Sequence, residues 1–180
     1  NKYNIEYKNN ELRLLLNNEI IRKIALNNKD KFIVLSKELM LREKLITKIP
    51  YLIKNINFPF FDTMPINSVS LININTIKDF EKKIKCKIEH ERFRANIYVN
   101  NIDPWLEFDL INREILIDNC LFKVVKKISR CSATNLIPNS DVSDINLPKN
   151  LMNVYGHKNM GVYLIPLNNG KISVGSVINL

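Results

Sequence analysis

The sequence is poor in the residues that build disulfide-stabilised or metal-clustered domains. Its 180 residues include only three cysteines and two histidines. The cysteine count is odd and no CxxC spacing occurs, which argues against a disulfide framework and a structural zinc site. Two histidines are too few for a histidine-rich metal site.

Long apolar runs are also missing. No stretch approaches the roughly 20 apolar residues that span a bilayer, and no signal peptide precedes the first strand-like segment. We therefore expect a cytoplasmic protein with no membrane partner. Because the chain begins at Asn1 and opens directly on strand-like sequence, we interpret it as a fragment that lacks its natural N-terminus.

Acidic residues are fewer than basic residues, and the formal net charge is +9. A basic chain invites a nucleic-acid interpretation. However, lysine, asparagine and isoleucine are abundant along the whole chain while glycine is scarce, as expected of AT-rich coding. The lysines are dispersed, and aromatic stacking residues are not interleaved with them. The pattern favours a solvated basic surface, so nucleic acid is not an expected partner.

Alternating and helical apolar patterns predict many short strands and a few helices. In the first part we expect strands over 3–7, 11–17, 19–26 and 31–35, with asparagine-rich turns, and a helix over 36–56 that breaks near Pro50. Further on we expect strands over 68–72, 93–99, 113–117 and 121–128, a helix that starts at Thr76, another that starts at Pro148, and a hairpin of 162–167 with 171–178 turned at Asn169-Gly170.

This order of elements predicts an α+β, β-rich domain, with a β-barrel and a few flanking helices. At 180 residues the chain is long enough to bury a sizeable core.

Cys131 is the most informative single residue. It follows Ser129 and Arg130 in a polar, cationic setting. A neighbouring guanidinium favours the thiolate form of a cysteine, and thiolate ligates soft metals or carries sulfur.

A second segment supplies polar donors for a phosphate or a polar ring, from Arg92, Arg94 and Asn96. Alternatively, Arg94 forms a structural ion pair with Glu107 or Asp109, and Asn96 caps a turn. Together, the two segments point to an anionic, metal-bearing cofactor.

In these segments the chain resembles the MOSC domain, which occurs in molybdenum cofactor sulfurases and in the amidoxime-reducing component family. The resemblance covers about two-thirds of the chain and implies a partial N-terminal region over residues 1–60 and a MOSC domain core over 61–180. It rests on Asp62 with 65–70, 93–96, Trp105 with Glu107, 129–131 with Thr134, Gly156, 161–163 and 170–175.

The resemblance implies that Cys131 is the molybdenum ligand and the catalytic residue, and that molybdenum cofactor (molybdopterin) is bound beside it. The other implied cofactor-binding residues are Asp62, Ser70, Arg94, Asn96, Ser129 and Arg130. The implied activity is that of a molybdenum-dependent oxidoreductase that acts on small N-hydroxylated substrates. Electrons would come from a separate iron–sulfur or haem protein.

Three alternatives remain open at this point. Cys131 could carry a persulfide as a sulfur carrier supplied by a sulfur-donor protein, or the chain could be a non-catalytic basic binding module. Glu107 and Asp109 could form a pair of carboxylates for acid–base work, although we favour a structural role on an exposed loop. We likewise expect Trp105 to be a packing anchor and His157 to interact with a helix end.

Overall fold

The computed structural model describes residues 3–25, 29–43, 48–49 and 67–180. The chain divides into two compact units, Asn1–Asn57 and Phe58–Leu180. The expected domain boundary, between residues 60 and 61, and the segment that contains Asp62 lie outside the described residues.

The first unit contains a three-stranded antiparallel meander. Its strands are β1 (Tyr3–Lys8), β2 (Glu11–Leu16) and β3 (Glu19–Ala25), in that order. Asparagine pairs 9–10 and 17–18 form the two turns, and all four residues have positive φ. Asparagine tolerates this left-handed conformation, which two-residue hairpin turns require. The three predicted strands are therefore confirmed.

The prediction of a strand over 31–35 is wrong, because helix α1 (Lys29–Arg42) covers this segment. A short apolar run does not by itself distinguish a strand from a buried helix. Here helical spacing decides, since Leu35 is buried with Leu14 and Ile24 and Leu39 packs against the same cluster. The predicted helix over 36–56 therefore starts too late, and most of it beyond residue 43 lies outside the described residues.

The second unit is built on a six-stranded mixed sheet that curls into a nearly closed barrel, with strand order β5-β4-β8-β7-β6-β9. Strands β4 and β5 are parallel, and the other neighbours are antiparallel. The elements in chain order are β4 (Val69–Asn73), α2 (Ile74–Ile84), β5 (Ile97–Val99), α3 (Leu106–Asp109), β6 (Glu114–Ile117), β7 (Cys120–Ser129), α4 (Leu147–Tyr155), β8 (Asn159–Pro166) and β9 (Ile178–Asn179). The expected β-rich α+β barrel with a few helices is confirmed.

Two large apolar clusters and one small one support this unit. One large cluster fills the barrel and includes Leu71, Val124 and Leu164, each almost completely buried. The other large cluster packs helices α2 and α4 on the sheet around Phe80 and Leu151. Burial of this apolar surface is the main driving force for folding the unit.

Three local predictions in this unit need correction. Helix α2 is capped by Asn73, whose Oδ1 accepts a hydrogen bond from the Asn75 N–H at 2.9 Å, so it does not start at Thr76. The strand expected over 93–99 is reduced to β5, because residues 90–93 form a 3₁₀ turn and Arg94 has a φ of 51°.

The prediction of a hairpin at the end of the chain is also wrong. Strand β8 is already paired on both edges, with β4 and with β7. The last strand, β9, instead adds to the open edge of β6. Helix α4, by contrast, ends as predicted, at Gly156 with a φ of 72°.

None of the helices in the described ranges is long and apolar enough to cross a membrane.

Gly161 is expected to be essential to the barrel. Its φ is +78°, and an added Cβ would lie 2.5 Å from the Leu71 carbonyl oxygen. We predict that Gly161→Ala costs clearly more free energy of unfolding in urea than Gly175→Ala. Gly175 also has positive φ but has no neighbour within 4 Å of an added Cβ, so the control should cost only about 1 kcal/mol. Equal losses for the two variants would contradict the close packing around Gly161.

Candidate functional site

Cys131 lies directly after strand β7 and has an extended backbone, with φ −115° and ψ 179°. It is a free cysteine and is exposed. Its carbonyl oxygen accepts hydrogen bonds from the Thr134 hydroxyl at 2.8 Å and from the Thr134 N–H at 3.2 Å. These two bonds close a short 3₁₀ turn over Ser132–Asn135 and hold the backbone of Cys131 in place.

The neighbouring Arg130 points its guanidinium into the protein. Its Nε donates to the Met160 carbonyl at 2.9 Å, and its Nη1 donates to the Phe93 carbonyl at 3.0 Å. The guanidinium also lies 5.3 Å from the centre of the Phe93 ring. Burial lowers the pKa of Arg130 to about 10, so the group stays cationic at neutral pH. Arg130 thus fixes the end of β7 against two other segments.

The segment around Arg94 lies beside this position, because Phe93 accepts the hydrogen bond from Arg130. Arg94 itself is exposed. Asn96 is bonded directly to Ser70, whose N–H and hydroxyl both donate to the Asn96 Oδ1 at 2.9 Å. No described residue accepts a hydrogen bond from the Asn96 Nδ2.

The structure therefore brings most of the predicted site residues into one region. Ser129 is exposed at the end of β7, two residues before Cys131. Ser70 and Asn96 touch each other, and Arg130 links the Cys131 segment to the Arg94 segment. Asp62 lies outside the described residues, so its place in the site stays a prediction.

Arg92 does not supply a free donor, contrary to the sequence-based expectation. Its side chain is 2% exposed and forms a bidentate pair with Asp144, with N–O distances of 2.7 and 2.9 Å. It also donates to Glu89 at 2.6 Å and to the Asn135 carbonyl at 3.1 Å. Arg92 thereby ties the turn over His90–Phe93 to the turn that follows Cys131.

A second buried network, which the sequence did not reveal, surrounds Glu107. This residue, Asn73 and Thr76 are each 0% exposed. The Glu107 Oε2 accepts hydrogen bonds from the Thr76 hydroxyl at 3.0 Å and from the Asn73 Nδ2 at 3.3 Å, whereas Oε1 has no hydrogen-bond partner among the described residues. Burial raises the pKa of Glu107. The expectation of an exposed structural loop was therefore wrong for Glu107.

This network positions a group of aromatic side chains, because the Thr76 hydroxyl also accepts a hydrogen bond from the Trp105 N–H at 2.8 Å. Trp105, Phe108, Tyr155 and His157 form what we call the ring cluster. Ring centres lie 4.4 Å apart for Trp105–Tyr155 and 5.7 Å apart for Phe108–His157.

Asp79 anchors this cluster from one edge. Its Oδ2 accepts hydrogen bonds from the Trp105 Nε1 at 2.9 Å and from the Tyr155 hydroxyl at 2.8 Å, and the Trp105 bond is the main cause of its lowered pKa. The packing role expected for Trp105 is consistent with these contacts. His157 lies at a helix end as expected, directly after the C-cap of α4, and its ring also belongs to the cluster.

A comparison with protein-family models identifies this region. The MOSC domain model matches residues 63–179, more than half of the chain. The chain therefore belongs to the MOSC domain family, which is associated with proteins of the molybdenum cofactor. No curated protein gives a significant match to it.

We predict opposite pH dependences for the two buried networks. For Glu107, the folded pKa is raised, so stability should fall as pH rises from about 4.3, the ordinary value, through the folded pKa. Glu107→Gln cannot ionise, and its unfolding free energy should lack this decline. Urea denaturation between pH 4 and pH 8 measures the difference, and parallel pH curves for the two proteins would contradict the prediction.

For the network around Arg92, we expect stability to depend on pH in the opposite direction. Its hydrogen bonds lower the folded pKa of both Glu89 and Asp144, so the stabilisation is present above their ordinary values of about 4 and is lost as pH falls through the folded values. Arg92→Met should therefore destabilise the protein strongly at pH 7 and much less at low pH. Arg113→Met, at an exposed arginine, is the control. A loss that does not change with pH would contradict the ion-pair role.

Proposed function

We propose that this chain binds molybdenum cofactor through Cys131 and acts as an oxidoreductase on small N-hydroxylated compounds. The observation that carries the proposal is an exposed, free thiol on a backbone segment fixed from both sides, within a MOSC domain. Arg130 fixes the residue before Cys131, and Thr134 bonds to the carbonyl of Cys131 itself.

The donor groups present suit such a cofactor. A thiolate is a soft ligand, as molybdenum in sulfur coordination prefers. The exposed Arg94 and the amide of Asn96 supply donors for an anionic or polar ring system, and Ser129 adds a hydroxyl next to Cys131. Asp62 and Ser70 would border the pocket, as the family resemblance implies.

Arg130 has a different part in this proposal from Arg94. Its guanidinium donates to the carbonyls of Phe93 and Met160, so its main contribution is to hold the thiol in position. Contact between Arg130 and the cofactor remains a prediction from the resemblance.

When bound, the cofactor would supply oxygen-atom transfer coupled to two-electron redox chemistry. The overall reaction breaks the N–O bond of the substrate, consumes two electrons and two protons, and releases water. A separate iron–sulfur or haem protein would deliver the electrons. The residues of this chain would bind the cofactor, orient it and hold the substrate beside it.

We predict that molybdenum co-purifies with the chain from a host that makes the cofactor, and that Cys131→Ser lowers the metal-to-protein ratio at least about tenfold. Cys86→Ser is the matched control, because Cys86 is also exposed but lies after helix α2. Elemental analysis of the three purified proteins makes the comparison.

Two outcomes would count against the proposal. Equal molybdenum in wild type and Cys131→Ser would exclude Cys131 as the ligand. A wild-type protein without molybdenum that carries one extra sulfur atom on Cys131, seen by mass spectrometry, would instead favour the persulfide carrier. That alternative uses the same exposed thiol.

A further inference from the structure

Two consecutive lysines of strand β7 face different surroundings. The Lys126 Nζ lies 5.7 Å from the centre of the Tyr163 ring, whereas the Lys127 Nζ lies 4.4 Å from the centre of the Phe108 ring. Successive side chains of a strand point to opposite faces. Lys127 therefore lies on the face of β7 that meets the ring cluster, and Lys126 lies on the other face.

Strand β7 leads towards Cys131, which lies two positions after its last residue, Ser129. The pairing of β7 with β8 shifts register between Lys127 and Ser129, so at about 3.3 Å per residue Lys127 and Cys131 are at most roughly 13 Å apart. The Arg130 N–H donates to the Lys158 carbonyl at 2.8 Å. This bond joins the residue before Cys131 to the residue after His157, so the ring cluster borders the segment that carries the thiol.

The surface next to Cys131 combines flat apolar area with the positive charge of Lys127. All four rings of the cluster are partly exposed. In the part of the chain that the structure describes, no carboxylate pairs with Lys127. Asp79 is the carboxylate that anchors the cluster, and its Oδ2 already accepts hydrogen bonds from Trp105 and Tyr155.

His157 adds a neutral donor to this surface. Its Nδ1 accepts a hydrogen bond from the Asn159 N–H at 3.2 Å, which leaves the ring proton on Nε2. Burial, and then the charge of Lys127, lower the pKa of His157, so the ring is neutral at pH 7. A cation and an N–H donor beside aromatic faces match a flat ring that carries a carboxylate.

We propose that the ring cluster and Lys127 form a binding subsite for planar aromatic carboxylates, next to Cys131. The assignment of this subsite to the substrate rests on the function proposed above. The expected substrates are then those N-hydroxylated compounds that carry an aromatic ring and a negative charge. The ring packs on the cluster, and the carboxylate accepts hydrogen bonds from the Lys127 ammonium and the His157 Nε2–H.

The fluorescence of Trp105 tests this directly, because it is the single tryptophan of the chain. The probes are benzoate, neutral benzamide and cationic benzamidine, titrated into the wild-type chain without added cofactor. We expect saturable quenching by benzoate, at least about fivefold weaker binding of benzamide, and no saturable binding of benzamidine. Lys127→Gln should weaken benzoate binding at least about fivefold, and Lys127→Arg should largely restore it.

Lys126→Gln is the matched control, since it removes the same charge from the other face of β7 and should change benzoate binding by less than about twofold. Equal effects of the Lys126 and Lys127 variants would overturn the proposal, as would equal affinity of the wild type for benzoate and benzamide, or quenching that never saturates. The comparison of benzoate with benzamide in the wild-type chain tests the subsite even if a variant fails to fold.

Metal content measured on the same preparations keeps the two proposals apart. Selective benzoate binding in a protein without molybdenum would support the subsite and count against the cofactor function. Molybdenum lost on Cys131→Ser, with no preference for benzoate, would support the cofactor function and overturn the subsite.

Discussion

The partly buried guanidinium of Arg130 joins three segments of the second unit by side-chain hydrogen bonds. It lies at the end of β7 and donates to the carbonyls of Phe93, before β5, and of Met160, in β8. Burying a cation is costly unless it is hydrogen-bonded, and here the carbonyl oxygens and the Phe93 ring provide the compensation. Gly161 is part of the same arrangement, since an added Cβ would lie 3.3 Å from the Arg130 Nη2.

The consequence for function is that an exposed thiol acquires a fixed position. Cys131 has few constraints of its own, because its side chain faces solvent. Its neighbours supply them, through Arg130 on one side and the turn closed by Thr134 on the other. The pair of Arg92 with Asp144 then holds the following loop. Such preorganisation is what a metal ligand needs, because binding then requires little further ordering of the chain.

Local chemistry accounts for what could be predicted from the sequence. Asparagine pairs at 9–10 and 17–18 specify hairpin turns whatever lies around them, and Gly156 ends helix α4 for the same kind of local reason. The family was predictable because its motifs are spread in order along the chain. The match over residues 63–179 confirms that prediction.

What could not be predicted depended on partners far away in sequence. The sequence alone does not distinguish Arg92 from Arg94. In the structure, Arg92 is buried and forms an ion pair with Asp144, which is 52 residues away. Glu107 was expected on an exposed loop because its partners belong to β4 and α2. The course of the last strand was also misjudged, since the occupied edges of β8 are a property of the whole sheet.

X-ray absorption at the molybdenum edge measures whether the Cys131 sulfur is bound to molybdenum, as we propose. A dithiolene cofactor contributes two sulfur neighbours, so we expect a third sulfur neighbour in the wild-type protein and its replacement by a lighter atom, or loss of the metal, in Cys131→Ser. An unchanged sulfur count in Cys131→Ser would show that this thiol is not a ligand.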